Sequence, residues 1–225
     1  MTDRLTIPGW RENPTPDRPD AELLASLAGL QVALLGDNSA RATGAFGLHS
    51  CSARAELIGS AVTVRTRAGD NLAIYRAFAH CRPGDVLVID GAGALDQALM
   101  GEIMITYAVS IGVVGIVIDG AVRDLAAIRE MQTPVFARGV THRGPYKNGP
   151  GEINVAVSIG GMVVNPGDVV VGDDDGLIAL APSDIPQVAA AARRQEQAEQ
   201  SKLAAIANGS YDLSWVQRAT REAIG

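Results

Sequence analysis

Short apolar runs alternate with longer segments of helical character through the middle of the chain. Buried strands are predicted at four runs rich in β-branched and aliphatic residues, namely 57–66, 86–90, 112–118 and 134–137. Helices are predicted between these runs at 71–80, at 96–110 and in a short segment after Arg123. Strands that alternate with helices are typical of a parallel or mixed sheet covered by helices.

After position 138 the pattern becomes β-rich. Short strands are predicted at 153–159, 162–164, 169–171 and 177–180, separated by turns rich in Gly, Pro and Asp. A long polar helix is predicted at 185–208 and a last helix at 212–224. Segment 31–35 fits either a strand or a helical turn. The whole pattern therefore predicts an α/β fold with an added β-rich part and helices at its carboxyl end.

The two ends of the chain differ from its middle. Residues 1–19 are polar and proline-rich, and they predict an extended arm that is ordered only where it packs on a neighbour. Residues 20–182 predict the α/β domain. Residues 183–225 predict a helical extension that packs at a subunit interface.

Composition and charge narrow the classes of function. The chain has 225 residues, 47% hydrophobic and only 4% aromatic, so aliphatic side chains must build its core. A net charge of −6 argues against nucleic-acid binding, which needs a basic surface. No apolar run reaches membrane-spanning length, and the amino terminus has no signal-peptide core. Cys51 and Cys81 are expected to stay reduced. We therefore expect a soluble, cytoplasmic protein that binds no membrane.

The stretch 115–124 carries the strongest chemical signal. Its apolar run predicts a strand that is broken by Asp119-Gly120, and Arg123-Asp124 then stand where a helix is expected to begin. Charged residues at the carboxyl end of such a strand are positioned to meet a ligand. A surface ion pair in the first turn of a helix is the alternative interpretation. Glu102 favours the interpretation as a ligand-binding site, because it lies in a segment that leads into the same strand and adds a second carboxylate to one possible pocket.

Other chemistries find less support. Asp173-Asp174-Asp175 lacks the alternating ligands of a calcium loop and predicts a tight turn instead. The histidines and cysteines show no zinc-ligand spacing. Magnesium needs only one carboxylate, waters and a chelating substrate, and Asp124 beside Arg123 meets that need. The glycines of segment 91–94 lack a dinucleotide fingerprint, and we interpret them as letting backbone amides approach a small anion.

Several motifs together resemble the RraA-like family over about residues 57–182. The motifs are Gly69-Asp-Asn71, Pro83-Gly-Asp-Val-Leu-Val-Ile-Asp90, Ala98-Leu-Met-Gly-Glu102, Val117-Ile-Asp-Gly-Ala-Val-Arg-Asp124, Pro134-Val-Phe-Ala-Arg138, Pro166-Gly-Asp168 and Gly172-Asp-Asp-Asp-Gly176. That family includes the class II 4-hydroxy-4-methyl-2-oxoglutarate and 4-carboxy-4-hydroxy-2-oxoadipate aldolases, and also the RraA regulators of ribonuclease E. The resemblance implies a layered α/β/β/α sandwich of the swivelling β/β/α type with a C-terminal helical extension.

The resemblance also implies a set of site residues. In the aldolases an acidic residue, twenty intervening residues and then Arg-Asp form the functional signature, which Glu102, Arg123 and Asp124 match. Many of the aldolases have Asp where this chain has Glu102. Asp124 is implied to hold Mg²⁺ or Mn²⁺, with Arg123 binding the substrate's keto oxygen. The substrate carboxylate is expected at Gly101, Glu102, Ile103 and Met104. Further candidates are Asn71 and, from a neighbouring subunit, Glu196 or Glu199.

The implied reaction is cleavage of a 4-hydroxy-2-oxo acid to pyruvate through a metal-stabilised enolate, with oxaloacetate decarboxylation as a side activity. The implied assembly is a homotrimer or a hexamer. One alternative is a non-catalytic regulator that binds ribonuclease E. A second is a methyltransferase, although the chain lacks the glycine-rich loop and acid expected for its cofactor. A third keeps the chemistry and changes the 2-oxo acid. A distal carboxylate of the substrate has three candidate binding groups, Arg138, Arg143 and the loop to Pro150.

Overall fold

The computed structural model describes residues 8–41 and 44–224. Its strands are β1 (Arg11–Glu12), β2 (His49–Ser50), β3 (Leu57–Thr66), β4 (Asp85–Asp90), β5 (Ala98–Met100), β6 (Gly115–Val122), β7 (Val135–Val140), β8 (Gly151–Ile153), β9 (Val157–Ile159), β10 (Met162–Val164), β11 (Val169–Asp173) and β12 (Gly176–Leu180). Its α-helices are α1 (Ala21–Ser26), α2 (Val32–Asp37), α3 (Leu72–Ala77), α4 (Glu102–Ser110), α5 (Leu125–Glu130), α6 (Ile185–Ala207) and α7 (Ser214–Ile224).

One mixed sheet organises the described part of the chain. Its path runs β1-β8-β3-β4-β6-β7-β2, and the four central strands β3, β4, β6 and β7 are parallel. The long strand β3 also pairs with β11 through its first residues, which brings in the β11–β12 hairpin, and β5 adds to β6. Strands β9 and β10 form a separate hairpin.

Three apolar clusters define the layers. The first contains side chains of the central strands together with buried positions of α3, α4 and α5. The second joins the opposite side of these strands to the β9–β10 hairpin and to β11 and β12. The third packs the remaining face of β11 and β12 against α1, α2 and the start of α6. This order, helices, sheet, second β-layer and helices, confirms the expected α/β/β/α fold, with a C-terminal helical extension.

The predicted helix at 96–110 is wrong in its first third. Residues Ala98–Met100 form β5, which pairs in parallel with the end of β6, and the helix begins only at Glu102. Between them Gly101 is extended, with φ −147°. The reason is burial, because Leu99 and Met100 are both about 1% exposed and the edge of β6 is available to pair with them.

The predicted strand break at Asp119-Gly120 is also wrong. Strand β6 continues to Val122, and Asp119 lies opposite Asp90 of β4 in regular register. The register of the pairing with β7 shifts between Ile118 and Ala121. Asp119 and Gly120 are therefore accommodated by an irregularity in the ladder, and the strand continues past them. Arg123 and Asp124 therefore follow the strand directly.

The segment predicted as a single strand at 153–159 belongs to two strands. Asn154 adopts a left-handed φ of +53° and separates β8 from β9. The undecided segment 31–35 lies mostly in helix α2, which packs on α6. The predicted turn at 173–176 is confirmed: the Asp173 carboxylate accepts from the Asp175 N–H at 2.9 Å and from the Val32 N–H at 2.7 Å.

The proline-rich segment from Pro8 packs on its own chain. Strand β1 pairs with β8, and the Arg18 Nε donates to the fully buried carboxylate of Asp85 at 2.6 Å. Residues 1–7 lie outside the described residues. At the other end, α6 buries Ile185, Val188 and Ala192, and Gln195 still hydrogen-bonds to Asp37 and Asn38 at the end of α2. None of the helices in the described ranges combines the length and apolar character needed to cross a membrane.

Candidate functional site

Arg123 and Asp124 connect the end of β6 to the start of α5. The Arg123 N–H donates to the Met100 carbonyl at 3.0 Å, which ties this connection to the end of β5. Asp124 adopts the left-handed conformation, with φ 60° and ψ 38°, and its carbonyl accepts from the N–H groups of Ala127 and Ile128. A non-glycine residue in this conformation is uncommon, and such backbone strain concentrates at functional sites.

Gly101 lets the two strand ends approach each other. The Glu102 N–H donates to Asp124 Oδ2 at 3.1 Å, directly after Gly101. A Cβ atom on Gly101 would lie 2.4 Å from Asp124 Oδ2 and 2.8 Å from Arg123 Cγ, which is closer than Cβ atoms are found in proteins. Glycine therefore permits this close approach, and a side chain at position 101 would displace Asp124 or Arg123 from where they now lie.

The charged pair is loose. Arg123 Nε and Asp124 Oδ2 lie 3.7 Å apart, and each side chain is 42% exposed. This separation is too long for a direct hydrogen bond, so the pair leaves the hydrogen-bonding capacity of both groups largely open. Exposed pairs of this kind contribute little to stability, about 0–1 kcal/mol. The geometry suits ligand binding better than structural pairing.

A pocket with about 370 Å³ of free space, including its open mouth, lies at these two residues. It is lined by Asn71, Tyr75, Ala98, Leu99, Met100, Gly101, Ile103, Met104, Arg123, Asp124, Pro145 and Lys147. The structure thus brings together most of the residues predicted for the site. The Glu102 side chain is exposed and outside this lining, and the backbone N–H of Glu102 makes the contact to Asp124. Arg123 and Asp124 also border a second cleft beside His142.

Asn71 is buried in the pocket wall with one polar atom unpaired. Its side chain is 2% exposed, and Nδ2 donates to the Leu99 carbonyl at 3.0 Å. Because Nδ2 faces that acceptor, the amide orientation is determined and Oδ1 is the other atom. Asn71 Oδ1 has no hydrogen-bond partner among the described residues. A buried acceptor of this kind is costly to leave unpaired, and a ligand donor is one way to satisfy it.

Lys147 and Tyr75 line the pocket, and the sequence did not single out Tyr75 as a ligand-binding residue. Lys147 lies in the loop to Pro150, which the sequence suggested for a distal carboxylate, and its polar loop offers little support for a Schiff-base role. The loop reaches the pocket because Asp70, which is fully buried, accepts the N–H groups of Asn148 and Gly149 at 2.7 and 3.1 Å. The Gly-Asp-Asn turn at 69–71 was the available signal, since buried aspartates in turns bind backbone amides.

The environment of Asp70 also shifts its acidity. Burial alone would raise the pKa of this carboxyl, but hydrogen bonds from the backbone N–H groups of Leu72, Asn148 and Gly149, together with Arg67, outweigh burial and lower the pKa. Asp70 is therefore held as a carboxylate, and this buried charge anchors the loop that carries Lys147.

Some candidate residues lie elsewhere. Arg138 donates to Asp119, a hydrogen bond that raises the pKa of Arg138, and it lines a different cleft. In the 91–94 segment, the N–H groups of Gly91 and Gly93 both donate to the Asp119 carbonyl, so the expected anion site there is wrong. Arg143 is exposed and its carbonyl accepts the Ala98 N–H.

The two glutamates of α6 also lie outside this pocket. Glu196 accepts from Arg193 at 3.3 Å and Glu199 accepts from Gln195 at 2.9 Å, both on the same helix. Neither residue lines the pocket of its own chain. Their predicted role from a neighbouring subunit remains a prediction.

The donor set around Asp124 fits a hydrated hard cation. Within the described ranges no group of three or more His, Cys, Asp or Glu side chains could enclose a metal. Asp124 Oδ2 already accepts the Glu102 N–H, whereas no donor is recorded for Oδ1 among the described residues. One free carboxylate oxygen in an open pocket suits Mg²⁺ or Mn²⁺, which keep several waters, and does not suit a structural zinc ion.

Comparisons with known proteins agree with this architecture. A protein from Halalkalibacterium halodurans named "Putative 4-hydroxy-4-methyl-2-oxoglutarate aldolase" is 37% identical over 153 residues, which cover 68% of this chain and 73% of that protein. An uncharacterized protein from Pseudomonas syringae pv. tomato has a similar crystal structure, with TM-score 0.75, 26% identity and coverage of 87% of this chain and 96% of that one.

A third similar protein comes from the inhibitor branch. It is RraAS2 of Streptomyces coelicolor, described as an unusual member of the RNase ES inhibitor RraA protein family. Its TM-score is 0.74 at 28% identity, with coverage of 82% of this chain and 97% of that chain. The RraA-like family, described as Aldolase/RraA, matches residues 27–179, which is more than half of the chain. The chain therefore belongs to the RraA-like family.

Proposed function

We propose that this protein is a divalent-metal-dependent class II aldolase, a carbon–carbon lyase that cleaves a 4-hydroxy-2-oxo acid to pyruvate. The observation that carries the proposal is the open pair of a guanidinium and a carboxylate, Arg123 and Asp124, beside Gly101 at one pocket. The similarity to the H. halodurans protein, whose name is that of an aldolase, supports the same reaction class.

Asp124 is the residue that would hold Mg²⁺ or Mn²⁺, through its free Oδ1. When bound, the cation supplies positive charge to the keto and carboxylate oxygens of the substrate, which makes the adjacent carbon a better electron acceptor. The Glu102 side chain is exposed next to the backbone N–H that contacts Asp124, and there it would order water beside that carboxylate.

Arg123 contributes the charge that this chain itself provides. In the proposed reaction the C3–C4 bond of the substrate breaks, its electron pair forms the enolate of pyruvate, and the enolate oxygen faces the guanidinium. A preorganised donor aimed at a developing oxyanion commonly accelerates a reaction by about 10²–10³-fold. Because Asp124 does not bind Arg123 tightly, the guanidinium is free to donate to that oxygen.

The start of α4 provides a carboxylate site. The first intrahelical bond runs from the Ile105 N–H to the Gly101 carbonyl, so the N–H groups of Ile103 and Met104 precede it and have no intrahelical acceptor. Free amides at a helix amino terminus favour an anion. We assign the C1 carboxylate of the substrate to these amides, next to Arg123.

The proton of the 4-hydroxyl group must leave as the bond breaks. We assign its removal to a water ordered by Glu102, and the same proton balance is completed when C3 of the enolate is protonated to give pyruvate. Asn71 Oδ1, the unpaired acceptor in the pocket wall, is suited to accept a hydrogen bond from the substrate's hydroxyl group. Oxaloacetate can enter the same site and lose CO₂ to give the same enolate, which predicts decarboxylation as a side activity.

Assembly completes the proposal. We propose a homotrimer or a hexamer, in which Glu196 or Glu199 of one protomer approaches the pocket of the next. Helix α6 supports this arrangement because its contacts with the α1–α2 segment are described only as far as Gln195, and its later apolar residues Leu203 and Ile206 are exposed.

The decisive test is release of pyruvate from 4-hydroxy-4-methyl-2-oxoglutarate and from oxaloacetate, with Mg²⁺ or with EDTA, by the wild type and by Arg123→Ala. We expect release that requires the metal and disappears in the variant, with unchanged circular dichroism. If the wild type releases pyruvate from neither compound in the presence of Mg²⁺, the aldolase proposal is wrong.

The second candidate is a regulator that binds ribonuclease E without chemistry. The similarity to the Streptomyces coelicolor inhibitor-family protein favours it. Asp124→Ala distinguishes the two candidates. If the protein is a regulator, the wild type and the variant should inhibit ribonuclease E cleavage equally well. If it is an aldolase, the variant should lose pyruvate release, and neither protein should inhibit ribonuclease E.

A further inference from the structure

Trp10 is the aromatic residue of the proline-rich amino-terminal arm, and it packs on the body of its own chain. Its side chain is half-buried against the apolar cluster of the central strands, α3, α4 and α5. It directly precedes β1, whose two residues pair with β8. The RraA-like match begins only at residue 27, so Trp10 lies outside the part of the chain that matched the family. The proposed reaction assigns it no role.

The Trp10 ring lies against the loop between β7 and β8. A Cβ atom placed on Gly149 would lie 3.4 Å from Trp10 Cζ3 and 3.6 Å from Leu72 Cδ2, so the indole and the leucine flank this glycine. A Cβ atom placed on Gly9 would lie 3.1 Å from Pro150 Cγ. Two consecutive residues of the arm therefore lie against two consecutive residues of the loop.

The same part of the loop forms one wall of the candidate pocket. Pro145 and Lys147 are among the residues that line it. Tyr146 lies between them, and its carbonyl accepts the N–H of Asn71, another lining residue, at 3.0 Å. The conformation of the loop therefore decides where three lining residues lie relative to one another.

Hydrogen bonds to a buried charge hold the loop, and Trp10 covers the place where they form. The N–H groups of Asn148 and Gly149 donate to the fully buried Asp70 carboxylate at 2.7 and 3.1 Å. Such bonds are strongest where water is excluded, because the local dielectric constant is low there. The indole beside Gly149 excludes water from this backbone. Without the ring, water competes for the Asp70 carboxylate and the loop loses its closed conformation.

We infer that Trp10 is a positioning residue, which holds the loop 145–149 in the conformation that forms the pocket wall. This inference rests on the proposed aldolase function, in which the substrate binds to the pocket with its wall in place. Trp10 does not line the pocket and acts through Gly149. It sets the fraction of molecules whose pocket wall is formed before the substrate arrives. The apparent affinity for the substrate falls in proportion to that fraction.

Amide hydrogen exchange tests the hold on the loop without any substrate. The bonded amides of the loop belong to Tyr146, Asn148 and Gly149. In Trp10→Ala their exchange should approach that of an unfolded peptide, because the open loop becomes the main state. Trp10→Phe keeps a ring over the loop and should keep the exchange rates within about threefold of the wild type. The turn at 173–176 should exchange equally in all three proteins.

Steady-state kinetics test what the loop does for the substrate. With 4-hydroxy-4-methyl-2-oxoglutarate and Mg²⁺, we expect Trp10→Ala to raise KM about 10-fold and to leave kcat within about twofold, because saturating substrate selects the formed pocket. Trp10→Phe should return KM to within about threefold of the wild type. Arg11→Ala is the matched control, since Arg11 is the next residue of the arm but bonds to Glu152 and is 57% exposed. Its KM should stay within about twofold.

The outcomes separate this inference from the proposed function. A lower melting temperature of Trp10→Ala with unchanged KM and unchanged loop exchange would make Trp10 a packing residue only and overturn the inference. A fall in kcat at constant KM would overturn it too. If Trp10→Ala does not fold, Trp10→Leu should show the same changes to a smaller degree. If the wild type releases no pyruvate, the aldolase function fails, and hydrogen exchange alone then decides whether Trp10 holds the loop.

Discussion

Two arginine–aspartate pairs, one just after strand β6 and one between β6 and β7, differ in their geometry. Arg123 and Asp124, just after β6, are 3.7 Å apart and each is 42% exposed. Arg138 and Asp119, inside β7 and β6, are directly hydrogen-bonded, and their side chains are only 27% and 9% exposed. The same two residue types therefore form an open site in one place and a closed structural link in the other.

The two pairs differ in whether the other oxygens and N–H groups of their side chains have hydrogen-bond partners within the protein. The second Asp119 carboxylate oxygen accepts the Gly160 N–H at 2.6 Å, and Arg138 also approaches the Phe46 carbonyl at 3.4 Å. Among the residues that the structure describes, Asp124 accepts a hydrogen bond from the Glu102 N–H at Oδ2 and has no donor at Oδ1. A charged pair whose partners are all within the protein contributes to the fold, whereas one with unused groups can bind a ligand.

The largest effect is expected from removing the open cation. Arg123→Met should lower kcat/KM for pyruvate release by about 10²–10³-fold, because the donor to the enolate oxygen is lost. The free energy of unfolding should change by no more than about 0.5 kcal/mol, since the pair is exposed. Steady-state kinetics and urea unfolding check the two parts. A large loss of stability would show that this pair, too, is structural.

Closing the space at Gly101 should have the next largest effect. Gly101→Ala places a Cβ where Asp124 Oδ2 and Arg123 Cγ now lie, so both side chains must move. Displacement of reacting groups by about 1 Å can cost about 100-fold in rate. We expect kcat to fall by that order while the fold is kept. Gly161→Ala is the control, because a Cβ there meets nothing within 4 Å, although its positive φ makes a small loss of stability expected.

The closed pair should show the reverse pattern. Arg138→Met leaves the mostly buried Asp119 carboxylate without its cation, and we expect a loss of about 1–3 kcal/mol in the free energy of unfolding. Activity measured well below the melting temperature should change by less than about threefold. Loss of activity with full stability would place Arg138 in substrate binding and remove the contrast between the two pairs.

The smallest effect is a pH dependence at Asp70. Its pKa is lowered in the folded protein, so the carboxylate contributes stability above its unfolded pKa of about 3.9, and this contribution is lost as pH falls toward the folded pKa. Asp70→Asn should be less stable than the wild type at pH 7, and the difference should shrink below about pH 4. Urea unfolding at several pH values measures it. A difference that stays constant from pH 7 to pH 3 would contradict the assigned charge.

Local pattern predicted much of the fold. Strands β3, β4 and β7 and helix α6 lie close to the predicted ranges, because apolar runs and turn residues act over a few neighbouring positions. The same is true of the signature around Arg123 and Asp124, which the structure brings to one pocket with Gly101. The role of these residues in a reaction remains a proposal.

Local pattern failed where distant partners decide. Leu99 and Met100 form a strand because the end of β6 offers an edge, and Asp119 stays in a strand because Arg138 and Gly160 satisfy its carboxylate. No window of sequence around either segment contains those partners. Burial of a polar or a short apolar segment depends on which groups tertiary packing brings to it.

The sequence by itself determined the alternation of strands and helices, the charge balance and the Glu102 to Asp124 signature, since each is a property of neighbouring residues or of their spacing. Only the tertiary structure decided which charged groups stay free. Lys147 reaches the pocket because Asp70, 77 positions earlier, anchors its loop. Arg138 is not available to a ligand in the same way, because its guanidinium donates to the Asp119 carboxylate. Whether a charge is available depends on every partner within hydrogen-bonding distance, and folding alone sets those distances.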